Sequence, residues 1–158
     1  MKVRVCHNGD DVFVGFKPNG FIADCRGFAL LRRRSGVEEV VSTWVGFEDD
    51  DAEVGERRAS TNWPIQKYQW TDYMAEPGDT LQYRVVPMVG PDKRSLKPAT
   101  DIASDWTDEI KLSHEVEPKI ECYFNRGIVA AQWVSRGGSP KVNGRRSVGF
   151  SSGMRKAR

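Results

Sequence analysis

Few residues of this chain carry nucleophilic, acid–base or metal-binding chemistry, and their spacing works against most of it. There are two histidines, His7 and His114, and three cysteines, Cys6, Cys25 and Cys122. A zinc site brings ligands in pairs such as C-x-x-C or H-E-x-x-H, and neither pattern occurs. Cys122 and His114 are near enough in sequence to form a thiolate–imidazole pair, but reduced, buried thiols are the plainer reading of all three cysteines. An odd number at wide spacing does not make a disulfide framework, although Cys6 and Cys25 could bridge. Carboxylates crowd the stretch 47–60, FEDDDAEVGERRAS. It lacks the alternating Asp/Asn spacing and the closing Glu of a calcium loop, so it reads as a mobile acidic surface loop. Trp44, Trp63 and Trp70 could build a platform for stacking a sugar, or could fill a core or a domain contact. Arg32, Arg33 and Arg34 could meet phosphates. The simpler expectation pairs them with Glu38 and Glu39 across a turn, as a solvated charged hairpin. No glycine-rich phosphate cradle is present, and Gly137-Gly138-Ser139 reads as linker. The residues assign no catalytic, cofactor-binding or metal-binding position and imply no cofactor.

These side chains sit on a pattern of short strands. The chain has 158 residues, 39% of them hydrophobic, with five Trp, seven Phe and four Tyr. That is enough for one core and too much for a wholly disordered chain. The net charge of +2 hides an asymmetry. Residues 1–135 carry 17 basic and 22 acidic side chains, whereas 136–158 carry seven basic and none acidic. The basic balance therefore belongs to a tail, expected to be disordered, with contact to nucleic acid as the alternative. The chain as given opens without an apolar leader, and no apolar run approaches the ~18 residues of a membrane span. A cytoplasmic chain is the expectation.

Alternation of apolar and polar residues places strands at 2–7 and 11–17, joined through Asn8-Gly9-Asp10, with Val12, Val14 and Phe16 on one face. Residues 26–34 and 37–45 read as a second hairpin turning at Ser35-Gly36. In 62–72 the set Trp63 and Ile65 has one parity and Tyr68 and Trp70 the other, which predicts a bulge or break near Gln66 or Lys67. Residues 80–89 give the clearest strand, with Leu81, Tyr83 and Val85 inward, after the turn Glu76-Pro77-Gly78-Asp79. A last strand is expected over 103–113. About seven strands at this spacing predict an all-β antiparallel sandwich. Residues 124–136, FNRGIVAAQWVSR, read as a short helix that is apolar on most sides and so made to be buried.

Two resemblances follow from these residues. The segments FVGFKP, Gly27 to Arg32, Met74-x-x-Pro77-Gly78-Asp79-x-x-x-Tyr83-x-Val85 and Ser104-Asp105-Trp106-Thr107 resemble, in order, strands of the fibronectin type III sandwich, within the immunoglobulin-like class. That implies Tyr83 as a corner tyrosine whose hydroxyl bonds back to the corner. The longer run HNGDDVFVGFKPNGFIADCRGFALLRRRSGVEEVVSTWVGF, with NWPIQKYQWTDY and YFNRGIVAAQWVSR, resembles the amino-terminal part of bacterial phospholipase D-like proteins. There a sandwich precedes a catalytic phosphodiesterase region. Such catalysis uses H-x-K-x-x-x-x-D twice, with one His as nucleophile and the other as general acid. Gly9 stands two residues after His7 and Val116 two after His114, so neither histidine starts the motif and no catalytic residue carries over. The resemblance implies a sandwich over 1–114, a linker and helix over 115–136 that begin a missing catalytic domain, and a disordered tail over 137–158. It implies a truncated, non-catalytic accessory module whose partner is a phospholipase D-like catalytic domain or another protein. An active phosphodiesterase and a free-standing carbohydrate- or protein-binding module are the alternatives.

Overall fold

The computed structural model describes residues 1–117 and 120–121, all within the unit Met1–Gly127. Cys122, the expected helix at 124–136 and the basic tail lie outside the described residues. In chain order the strands are β1 (Lys2–His7), β2 (Val12–Lys17), β3 (Cys25–Arg34), β4 (Val37–Val40), β5 (Ser42–Thr43), β6 (Arg58–Ala59), β7 (Gln69–Asp72), β8 (Thr80–Val89), β9 (Lys97–Pro98), β10 (Ile110–Lys111), β11 (Glu115–Glu117) and β12 (Ile120–Glu121). The architecture is mostly β and every strand pair is antiparallel. Among the described residues no helix is long and apolar enough to cross a membrane.

One sheet has the order β1-β2-β7; the larger has β10-β8-β3-β4, with β9 added on β8. Alternation explains how they meet. Val12, Val14 and Phe16 from the first sheet join Phe28, Leu30, Leu81, Tyr83 and Val85 from the second in one buried cluster. Burying side chains of this size contributes about 1.5–3 kcal/mol each. The opposite parity of β3 and β8 supplies a second cluster, Ala29, Val86 and Met88, with Leu31, Leu96 and Ala103 packed against it.

The turns follow the chemistry of their residues. Asn8 Oδ1 accepts the N–H groups of Asp10 (3.1 Å) and Asp11 (2.7 Å), closing the β1–β2 hairpin. The Asp79 N–H donates to the Glu76 carbonyl (3.1 Å) around Gly78 at φ +91°, the conformation that this position of a Pro-Gly turn requires.

Four expectations need correction. The strand expected over 37–45 breaks at Val41, whose N–H stays with Leu30 (2.9 Å) while its carbonyl turns to Ser60 (2.9 Å). The chain then pairs β5 with β6, so part of the acidic loop is built into structure. The hairpin charges pair as expected, Arg32 against Glu39 and Arg33 against Glu38. Arg32, however, is not solvated: its side chain is 8% exposed. The strand expected over 103–113 is regular only at β10. Upstream, Ser104 and Thr107 hydrogen-bond the Val85 and Tyr83 carbonyls (2.9 Å each). Three residues there match two on β8, a succession of bulges. The Ser104 and Thr107 hydroxyls accept the Val85 and Tyr83 N–H groups (2.9 Å each) that a regular partner strand would have taken.

The parity change in 62–72 is resolved by a change of sheet. Ile65 exchanges backbone bonds with Phe28 in the larger sheet (2.8 and 3.0 Å), and four residues later β7 pairs with β2 in the other.

Candidate functional site

The expected group of three tryptophans splits. Trp63 is 2% exposed, its carbonyl accepting the Thr43 hydroxyl (2.6 Å) and its ring lying under Arg58 at 4.5 Å. It is an interior residue. Trp44 leaves β5 and packs on Trp70 of β7, with ring centroids 4.7 Å apart and planes at 46°. Tyr73 also packs on Trp44, with ring centroids 5.7 Å apart and planes at 31°. The Arg57 guanidinium lies 5.6 Å from the Trp44 ring and reaches Met74 Sδ at 2.9 Å. Tyr73 and Met74 are exposed, at 40% and 51%. The site is thus an aromatic and thioether cluster where β7 ends its sheet, with Arg57 beside its rings and Arg34 Nη2 donating to the Met74 carbonyl (2.6 Å). The rings lean on one another instead of lying coplanar, so their faces are partly spent within the cluster.

Behind this edge lies a buried polar network that sequence reasoning missed. Asp72, 1% exposed, accepts Arg32 Nη1 (2.6 Å) and the Tyr83 hydroxyl (2.9 Å) at Oδ2, and the Met74 N–H (3.0 Å) at Oδ1. Arg32 Nε also donates to Glu39 Oε1 at 2.7 Å. Burial works to lower the Arg32 pKa, but Glu39 and Asp72 outweigh it and keep the guanidinium charged. Burial, and next the Asp72 carboxylate, push the Tyr83 phenol far above its ordinary range. Arg32 holds the Glu39 carboxyl below its ordinary range. A phenol with so high a pKa and no solvent access is a poor acid–base catalyst, and the network acts as an internal brace. A parity signal could have found it. Phe28, Leu30 and Arg32 share one face of β3, so the arginine points inward and needs a buried carboxylate.

The remaining chemistry-bearing residues are scattered. His7 ends β1 exposed, and His114 Nε2 stands 3.3 Å from Asp10 Oδ1. Cys6 is exposed and Cys25 partly so; both are free thiols, so the Cys6–Cys25 bridge does not form. Cys25 Sγ donates to the Gly27 carbonyl (3.3 Å). The acidic loop is pinned and not loose. Lys93 bonds Asp49 (2.7 Å) and Asp50 (2.8 Å), and Asp50 also accepts the Phe47 N–H (2.8 Å). The Lys93 ammonium draws both carboxyls below their ordinary range. Among the described residues no group of three or more His, Cys, Asp or Glu is placed to hold a metal ion.

Fold and surface together define an antiparallel, mostly β domain with an aromatic sheet edge. No family model, curated protein or solved structure matches the chain.

Proposed function

We propose that this chain is a non-catalytic interaction module of the fibronectin type III kind, docking through the Trp44–Trp70–Tyr73 edge onto a phospholipase D-like catalytic domain. The observation that carries this reading is the aromatic cluster at the edge of β7, where half-buried Trp44 and Trp70 carry the exposed Tyr73 and Met74, with Arg57 beside them. Aromatic and arginine side chains are the types that anchor protein contacts. The strand orders β1-β2-β7 and β10-β8-β3-β4 support the fold assignment, since a fibronectin type III sandwich arranges its strands this way. The missing lysines after His7 and His114 support a non-catalytic role.

Two experiments test it. In the genome, the frames beyond Arg136 should encode two H-x-K-x-x-x-x-D motifs, and that catalytic domain, made separately, should bind the purified chain by calorimetry. Trp44→Ala with Tyr73→Ala should weaken binding at least ~100-fold, as for paired hot-spot residues. Unchanged binding by this variant, or phosphodiester hydrolysis by the chain itself that His7→Ala or His114→Ala abolishes, would overturn the reading. Glycan binding through the same edge, without binding to the catalytic domain, would replace the partner with a carbohydrate.

A further inference from the structure

The opposite face of the smaller sheet carries a charge pattern that folding does not explain. Lys2 is paired with Lys17 across β1 and β2. The Phe16 N–H donates to the Tyr68 carbonyl (2.9 Å), just beyond the last β2–β7 pair Gly15–Gln69, and Lys67 directly precedes Tyr68 in the chain. Lys2 and Lys17 therefore stand opposite each other on strands ~4.8 Å apart, with Lys67 in the adjoining crossing segment and Arg4 further along β1 on the face of Lys2, all four exposed. Like charges directly opposite on paired strands destabilise a sheet. Among the described residues, Lys2, Arg4, Lys17 and Lys67 make no ion pair that would offset this.

An apolar tip adjoins these lysines. The β2–β3 loop begins directly after Lys17, and its Phe21 is 96% exposed. Tyr68, next to Lys67 in sequence, is 63% exposed, and both rings line a cleft of about 290 Å³ with Ile22, Cys25 and Arg26. The Arg26 guanidinium is held by the carbonyls of Gly90 (3.3 Å) and Pro91 (2.6 Å), and among the described residues it makes no ion pair with a carboxylate. Asp24 is the one acid on the loop. A fully exposed phenylalanine in water is unfavourable, and so is an unopposed group of lysines. A single surface that satisfies both is one with anionic headgroups over an apolar interior.

We propose that this pole, with Lys2, Arg4, Lys17 and Lys67 behind and Phe21 in front, binds peripherally to anionic lipid bilayers. The lysines lie against the phosphate plane and Phe21 enters the headgroup–acyl boundary. A duplex nucleic acid offers phosphates to the lysines but keeps its bases stacked away from an apolar tip, so the bilayer is the better match, and a single strand, whose bases can stack on an aromatic ring, is an arm of the test. This surface is separate from the aromatic edge at Trp44 and does not depend on the reading given to it.

Vesicle co-sedimentation of the full chain tests the proposal, with vesicles of phosphatidylcholine alone and of equal parts phosphatidylcholine and phosphatidylserine. Binding is expected to the mixed vesicles only and to weaken with salt. Lys17→Glu with Lys67→Glu should lower affinity at least ~25-fold, since one basic residue at an anionic surface is worth about five-fold. Phe21→Ala should lower it about ten-fold or more, with an unchanged melting temperature. All three positions are exposed, so the fold should persist; circular dichroism checks this. If the charge-reversed variant binds as the parent does, the basic tail carries binding and the proposal fails. It fails equally if both vesicle types bind alike, or if single-stranded DNA binds and the mixed vesicles do not.

Discussion

The hydroxyl of Tyr83 donates a 2.9 Å hydrogen bond to the carboxylate of Asp72, eleven residues earlier in the chain, and both groups are shut off from water. The same Asp72 oxygen accepts Arg32. Removing one member of such a set strands the others in the interior. Tyr83→Phe should cost about 1–2 kcal/mol. Asp72→Ala should cost about 3–5 kcal/mol because Arg32 is left uncompensated. Arg32→Met combined with Asp72→Leu should recover most of that loss. Urea denaturation measures all three, and an Asp72→Ala cost under ~1 kcal/mol would show that the network does not brace the fold.

The network also makes stability depend on pH at both ends of the range. Glu39 is held below its ordinary pKa, mainly by the Arg32 hydrogen bond. The unfolded chain then binds its proton first as pH falls, so this contribution is complete above about pH 4.5 and is lost as pH drops through the native value. Tyr83 behaves in the opposite sense, because its native pKa is raised. Its contribution is complete below about pH 10 and declines as pH rises beyond that. Glu39→Gln should flatten the acid limb of a stability–pH profile, and Tyr83→Phe the alkaline limb. A profile unchanged at either end would contradict the corresponding assignment.

Gly27 occupies a position no side chain fits. It sits at φ +150°, and a β-carbon there would fall 2.7 Å from Pro64 Cβ and 2.9 Å from the Ile65 carbonyl oxygen. Gly27→Ala should cost about 1–3 kcal/mol or more. Gly20→Ala meets nothing within 4 Å and should be near neutral. Thermal melts of the two variants side by side settle this, and equal melting points would refute it.

Ser104 and Thr107 replace a strand's backbone with hydroxyls. Ser104→Ala should leave the buried Val85 N–H without its acceptor, at about 1–3 kcal/mol. Thr107→Val should act likewise on Tyr83. Faster amide exchange at Val85 and Tyr83 in these variants would locate the effect, and protection equal to the parent's would argue against it.

Where alternation was unbroken, sequence and structure agree: Val12, Val14 and Phe16 on β2, and Leu81, Tyr83 and Val85 on β8, all face the core. The parity conflict between Ile65 and Trp70 predicts a bulge or break near Gln66 or Lys67, and there the chain passes from one sheet to the other. The sequence was less legible where side chains took over backbone roles. Nothing in the composition of ASDWTDEIKLS shows that two hydroxyls will stand in for strand pairing. The candidate site was half legible. Trp44 and Trp70 do meet, but Trp63 has the same residue type and a buried place, because burial depends on which strand the chain joins after the acidic loop. Asp72 was invisible as a network centre because its partners, Arg32 and Tyr83, lie forty residues before it and eleven after it.

The crossing at Ile65 to Gln69 has a mechanical consequence. Ile65 is bonded into one sheet and Gln69 into the other, and a few residues of covalent chain join them. The segment is a strap. A one-residue slip of either sheet would have to drag the other along the same edge, and it would turn Trp70 and Asp72 outward together. The two registers are thereby locked to each other, and the aromatic edge keeps its shape only while both hold.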